Sequence, residues 1–468
     1  MAREEGNRLG LILSTALGAV ALSNASGGAQ ALVTESLLPI LRVWDGLDSA
    51  FDARSPLTRE AERVDARPLR LQAQEMERDL YRDFTLLDGR LVVMDTPPSS
   101  LGDACLWQGV FTAAAVWRYR VEASSSALAL AERAFDGLQL LASRGRPIAR
   151  AVYPAGLLAE PGGIQYHRDG DWQWKEDASI DSAAGWVFGN VVALKHLPTR
   201  RSAAARALAG FSDALAENGY RLRNSDGSAT RFGAVGGSLL NSPTGLLATF
   251  AALQGSGQRR HREEVARFEA RRQDRWAAYA SGPFLWKNLT TNHNIGFLGL
   301  AAAAAVERDP GRRELYLRGM LRLERLTAKS GNSFWIYLTL WTLDEAAGAE
   351  KLSPKLESYR RRRVGALNRA RNAMLEWDYP RSKVKRPVVN SRRRDLEFSR
   401  WPWFWRRNLR QPLPVWRRPP ADFLWQRCAY ALDDWEEYRL KPPQRFAPLD
   451  FLAAYYLGRL VGAFGPAD

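Results

Sequence analysis

A chain of 468 residues with 46% apolar and 25% charged side chains is a folded protein of one or two domains, not a disordered polymer. Two cysteines are too few for a disulfide scaffold or a cysteine metal site, and the 4 histidines show no HExxH spacing, so no zinc centre or other metal site is expected. The formal charge of +16 is a local property: residues 351–420 hold 21 Lys/Arg against 5 Asp/Glu, which leaves 46 of each sign elsewhere.

In chain order, residues 9–22 are uncharged and largely apolar, and small residues ending Ala29-Gln-Ala31 follow them. Residues 1–31 thus resemble a signal peptide with an A-x-A cleavage site, although Glu4 and Glu5 offset the two leading arginines. A periplasmic or secreted location is the expectation. A buried helix of a cytoplasmic protein is the alternative. The run is short for a membrane span, so no transmembrane segment is expected.

From 32 to 376 the apolar periodicity predicts successive helices in hairpins, with almost no strand alternation. After a first pair inside 32–84, helices are expected at 101–121 and 124–143, 181–197 and 201–218, and 243–254 and 259–279. Further pairs are expected at 290–306 with 311–328 and at 332–347 with 352–376. The breaks fall at Gly145-Arg-Pro147, Pro198, Gly255-Ser-Gly257 and Asp309-Pro-Gly311. About a dozen helices in hairpins satisfy an all-α fold, an (α/α)6 toroid. An open solenoid would require repeats that resemble one another, and these do not. Residues 377–420 carry seven prolines and the run Trp401-Pro-Trp-Phe-Trp405, which predicts an irregular excursion packed over the helices. A final helix at 448–464 is expected to dock back onto the core, so that 377–468 forms an extension of the toroid at 32–376.

The segment Asp171-Trp-Gln-Trp-Lys-Glu-Asp-Ala-Ser-Ile-Asp181 carries the most readable chemistry. If Asp177 and Asp181 sit in the first turns of the apolar helix that follows, they share one face, about 5–6 Å apart at Cβ. Trp172 and Trp174 beside such a pair suit a sugar, because indole faces stack on C–H surfaces while carboxylates bind hydroxyls or move protons. Helix-start carboxylates that only offset the helix dipole are the alternative.

Asp103-Ala-Cys-Leu-Trp-Gln-Gly109, the helix around Ala113–Tyr119, Asp136–Leu141 and Gly145–Arg150 follow in order, then Trp174–Asp181 with Gly185. This succession resembles six-hairpin (α/α)6-toroid glycosidases and related polysaccharide lyases over roughly residues 100–300. The resemblance implies a funnel-shaped cleft and a glycan-active enzyme, hydrolase or lyase, on neutral or acidic carbohydrate. It names no glycan, and the same toroid serves other chemistries.

Asp103, Asp177, Asp181 and His293 are accordingly the candidate catalytic residues. Trp107, Arg150, Tyr166, His167, Trp172, Trp174 and Asn292 are the candidates for substrate binding. Arg150 could grip an acidic sugar's carboxylate in bidentate fashion. Asp103 has helix capping as its alternative role, and His167 has simple exposure. A hydrolase needs one protonated acid and one ionised carboxylate, whereas a uronate lyase needs a Tyr or His base beside Arg or Asn. No cofactor and no nucleic-acid partner is expected. A non-catalytic protein that binds polyanions or the cell envelope through the basic 351–420 segment is the alternative. If residues 377–420 fold across the toroid, Arg392, Arg393 and Arg394 could rim the cleft and recruit an acidic polymer.

Overall fold

The computed structural model describes residues 67–96, 103–144, 147–157, 166–236, 243–280, 290–328, 331–375 and 445–468. The apolar run 9–22 and the Arg/Trp-rich stretch 377–420 lie outside these residues. The described chain is mostly α-helical, in this order: α1 (Leu69–Asp83), α2 (Ala104–Glu122), α3 (Ser125–Arg144), α4 (Ile180–His196), α5 (Arg201–Glu217), α6 (Pro243–Gly255) and α7 (Arg259–Ala270). There follow α8 (Gln273–Ala280), α9 (Thr290–Val306), α10 (Pro310–Thr327), α11 (Ser333–Ala349), α12 (Pro354–Arg361), α13 (Val364–Leu375) and α14 (Leu449–Leu460).

Two populations of helix differ in burial. α2, α4, α6, α9, α11 and α14 are apolar on nearly every face and buried along most of their length. α3 and α5 bury one stripe only: Ala127, Ala131, Ala134, Leu138 and Leu141 in the first, Ala204, Leu208, Phe211 and Leu215 in the second. A helix hydrophobic all round needs neighbours all round, and an amphipathic one covers it from outside. The buried set packs in sequence: α2 on α4, α4 on α6, α6 on α9, α9 on α11, α11 on α14, and α14 back on α2. The amphipathic helices connect them and lie against them.

Neighbouring buried helices run parallel where the contacts fix direction. A Cβ placed on Gly109 would collide with the Gly185 carbonyl, one on Gly185 with the backbone of Leu106, and one on Gly189 with the backbone of Gly109. Positions advance together along both chains, so α2 and α4 share a direction, with their backbones touching because glycine stands at 109, 185 and 189. Trp335 lies against His293, Asn294 and Phe297, which matches the start of α11 to the start of α9. The space between the helices is filled by aromatics: Trp117 meets Phe188 at 6.0 Å, Phe334 at 6.2 Å and Trp341 at 5.6 Å. These offset and edge contacts are the favoured geometry for rings.

Small antiparallel sheets interrupt the helices, contrary to the expectation of almost no strands: β1 (Thr85–Leu86) with β2 (Leu91–Val92), and β3 (Asp95–Thr96) with β9 (Arg445–Phe446). The largest orders β4 (Ala151–Pro154), β6 (Trp172–Lys175) and β5 (Tyr166–Asp169) side by side. β7 (Arg221–Arg223) and β8 (Ala229–Ala234) form another hairpin. Trp172 and Trp174 therefore stand on a strand, not a loop. Pro448 precedes α14, which packs on α2 and α11 and is tied to α1 by Tyr456 Oη donating to Glu77 at 3.0 Å.

Candidate functional site

The site forms where α2 and α4 begin and the β4–β6–β5 sheet crosses them. Arg150, just ahead of β4, links all three: its N–H donates to Lys175 O at 2.8 Å, and its C=O accepts from Cys105 N at 3.0 Å. Its guanidinium Nη1 donates to Asp177 O at 3.2 Å, and Nη2 lies 3.5 Å from Asp103 Oδ1.

Asp103 occupies the residue before α2, yet its side chain makes no capping bond and turns to Arg150 instead. Asp181 lies in the first turn of α4, whose cap is supplied by others. Ser179 Oγ accepts from Ser182 N at 3.3 Å and Ser182 Oγ accepts from Ser179 N at 3.2 Å, a complete capping box. Burial and the negative charge of Asp103 push the Asp181 carboxyl up to about 6, against the lowering pull of Arg150. Neither carboxylate is used as a cap.

Asp177 departs from the expected helix-face pair. It stands in the left-handed region at φ +59°, two residues ahead of the cap. Its N–H donates to Asn224 Oδ1 at 2.9 Å, and its carboxylate accepts from Arg231 N at 2.7 Å. The side chain is thus held by the β7–β8 hairpin, while the carbonyl reaches Arg150. For a non-glycine residue this conformation costs about 1–2 kcal/mol, and the three hydrogen bonds hold it there.

Strand register divides the remaining candidates between two faces of the sheet. Tyr166 faces Lys175, and His167 faces Trp174, across the β5–β6 pair. Side chains alternate along a strand, so Tyr166, Lys175 and Tyr153 share one face, and His167, Trp172 and Trp174 share the other. The first face is the one that senses the charges of the site. Burial lowers the Lys175 ammonium, with Arg150 adding to it and Asp177 and Asp103 opposing. Burial raises Tyr166, opposed by Arg150, and burial with the neighbouring Tyr166 raises Tyr153 to about 12.

On the other face His167 stacks on Trp174 at 5.2 Å between centroids, and Arg144 lies 5.6 Å over Trp172 and 5.7 Å over Trp174. His167 Nε2 is 3.4 Å from Glu176 Oε2, which also accepts from Ser225 N and Oγ. The indoles and the carboxylates are therefore not one platform, as the sequence had implied, but lie back to back across a sheet.

Three other candidates stand apart. Trp107 is 3% exposed inside α2, its faces covered by protein, so it offers no stacking surface to a sugar. His293 is 3% exposed and packs edge-on against Trp335 at 5.8 Å. The side chain of Asn292 lies outside the described residues. A cavity of about 530 Å³ opens between α3, α5 and the β7–β8 turn, beside Trp186 and Phe211, and none of the candidate residues line it. Among the described residues no group of three His, Cys, Asp or Glu side chains is placed to hold a metal ion, and no helix is long and apolar enough to cross a membrane.

Lys175 and Tyr153 were not among the residues singled out by sequence. For Lys175 the signal was there: Asp169-Gly170 flanked by Tyr166-His-Arg and Trp172-Gln-Trp-Lys175 is a hairpin pattern, with Gly170 at φ +55° in the turn. Comparison with protein-family models, curated proteins and solved structures finds no match to this chain.

Proposed function

We propose that this chain is an (α/α)6 toroid and a glycan-cleaving hydrolase, with its catalytic carboxyls at the end where the inner helices begin. The toroid is supported by the cyclic packing order of α2, α4, α6, α9, α11 and α14, and by the amphipathic helices outside them. The activity rests on one observation above the others. The Asp181 carboxyl, raised to about 6, stands within the electrostatic reach of Asp103 and Arg150. Two carboxyl groups whose environments differ in this way suit glycoside hydrolysis.

In this reading Asp181 holds a proton under mildly acidic conditions and gives it to the departing glycosidic oxygen. Asp103, steadied by Arg150, supplies the negative charge that stabilises an oxocarbenium-like transition state or activates the attacking group. Hydrolysis is favoured over a lyase reaction by the position of the bases. His167 lies across the sheet from the carboxylates, His293 packs against Trp335, and Tyr166 is raised and so less ready to ionise. Glycan breakdown outside the cytoplasm remains the proposed setting.

A panel of neutral and uronic-acid polysaccharides, assayed for new reducing ends, tests the proposal. Cleavage of one member that falls at least 100-fold in Asp181→Asn and in Asp103→Asn is expected, since positioned acid–base groups contribute about 10²–10⁴-fold. A cleaved substrate with a new unsaturated, ultraviolet-absorbing end would instead indicate a lyase. Unchanged rates in both variants would remove these residues from the chemistry.

A further inference from the structure

We propose that Lys175 is the seat for a negatively charged substituent of the substrate, and hence that the glycan is an acidic one. This inference rests on the proposed site and asks which of its cations is open to a ligand. Arg150 was the obvious choice from sequence, but both terminal nitrogens of its guanidinium already face protein acceptors. Nη1 is on the Asp177 carbonyl, Nη2 is beside Asp103, and its backbone N–H is on Lys175 O. A guanidinium anchored from both sides is a fixed part of the wall. It orients Asp103 and sets the field at Asp181, and it would have to break those contacts to grip a substrate.

Lys175 is placed differently. It ends β6, one strand from Arg150 and opposite Tyr166, on the sheet face turned towards the carboxyls. Its ammonium lies 5.3 Å over the Tyr166 ring, and among the described residues it makes no ion pair. The surrounding charges are Arg150, which repels it, and Asp177 and Asp103, which attract it from beyond ion-pair distance. Of these, Asp177 is held on Arg231 N and Asp103 on Arg150.

A half-buried ammonium with a cation for a neighbour and no carboxylate in contact among the described residues is an unfinished arrangement. An incoming anion completes it. It relieves the repulsion from Arg150, regains the solvation lost on burial, and makes a charge-assisted hydrogen bond. A second observation on the same sheet face points the same way. Tyr153 is 1% exposed, and its hydroxyl, which feels the charge of Tyr166, has no hydrogen-bond partner among the described residues. Unpaired buried hydroxyls are uncommon and call for an explanation. A polar ligand group seated between Lys175 and the two phenols supplies one. Carboxylate and sulfate share the required chemistry, and the test separates them.

The experiment measures binding by titration calorimetry on the full chain carrying Asp181→Asn, alone and combined with Lys175→Gln or Lys175→Arg. The probes are a glucuronate-containing oligosaccharide, a sulfated oligosaccharide and a neutral one of equal length. The proposal expects the parent variant to prefer one charged probe over the neutral one. Adding Lys175→Gln should weaken that probe roughly tenfold or more, the loss expected for one charge-assisted hydrogen bond. The neutral probe should be unaffected, and Lys175→Arg should restore most of the affinity. Which charged probe responds identifies the substituent.

Equal affinity for charged and neutral probes in the parent overturns the proposal, as does no binding of any. So does a Lys175→Gln loss that is the same for both kinds of probe. A thermal melt of each variant shows whether a loss is merely unfolding. Cleavage by the parent at the rate of the unmutated protein, followed through reducing ends, would remove Asp181 from the chemistry, while the comparison of probes would still report on Lys175.

Discussion

Arg150 Nη2 lies 3.5 Å from Asp103 Oδ1 while Nη1 of the same guanidinium holds the carbonyl of Asp177 at 3.2 Å. One arginine thereby fastens the start of α2 to the segment leading into α4. The two carboxyls at those starts are brought under one charge, and Asp181 is kept from rising further than about 6. Removing that charge gives the first prediction. Arg150→Met should shift the Asp181 titration upward, because burial and Asp103 would act unopposed. Carboxyl-detected NMR of aspartate-labelled protein reads this directly, and an unmoved or lowered value would contradict it.

Asp181 also makes stability depend on pH. Its folded value of about 6 lies above the ordinary aspartate value of 3.8, so the folded state holds the proton more tightly than the unfolded chain. That contribution is present at low pH and is lost as pH rises from about 4 through about 6. Asp181→Asn should therefore be more stable than the parent above pH 7, by roughly 1–3 kcal/mol, and nearly equal to it at pH 4. Chemical denaturation at the two pH values tests the sign. A variant less stable at high pH would contradict it.

Asp177 is expected to act by position rather than by proton transfer. Asp177→Asn keeps an oxygen for Arg231 N and a residue tolerant of the left-handed region, so kcat should stay within a few-fold of the parent. Asp177→Ala loses that acceptor and should cost about 1–2 kcal/mol of stability. A 100-fold loss in the Asn variant would restore Asp177 to the chemistry.

The α2–α4 contact allows no side chain at its centre. Gly185→Ala drives a methyl group into the backbone of Leu106, and no rotamer change relieves a backbone clash. A loss of about 3 kcal/mol or more, or failure to fold, is expected from thermal or denaturant melts. Gly210→Ala serves as control, since a Cβ there meets nothing within 4 Å in α5. A small cost at Gly185 would show that the two helices part easily.

Much of the helical frame was legible because its punctuation is local. Pro198, Gly255-Ser-Gly257 and Asp309-Pro310 end or start helices within a residue or two of the expected positions. The expected single helix 259–279 instead breaks between α7 and α8, where Arg272 stands at φ +58°. Arginine carries no turn signal, so pattern alone reads through it. At the candidate site, Asp103, Arg150 and Asp181 stand out in the sequence because each sits beside a helix or strand boundary. The pairing of Tyr166 with Lys175, and the turning of Trp174 to the opposite face, depend on strand register. Trp-rich segments attract attention as sugar platforms, yet these indoles pack with His167 and Arg144 behind the sheet. The caps on α4 were hidden for a simpler reason: Ser179 and Ser182 do the capping that Asp177 and Asp181 were well suited to do.

In the proposed mechanism Asp181 delivers the proton that breaks a glycosidic bond, and the pH dependence of kcat/KM on a cleaved polysaccharide is its decisive test. The parent should lose activity as pH rises through about 6, where the Asp181 proton is lost. In Asp181→Asn that limb should vanish together with at least 100-fold of the rate. A variant that keeps both the rate and the limb would show that the proton comes from elsewhere, and the proposed mechanism would be wrong.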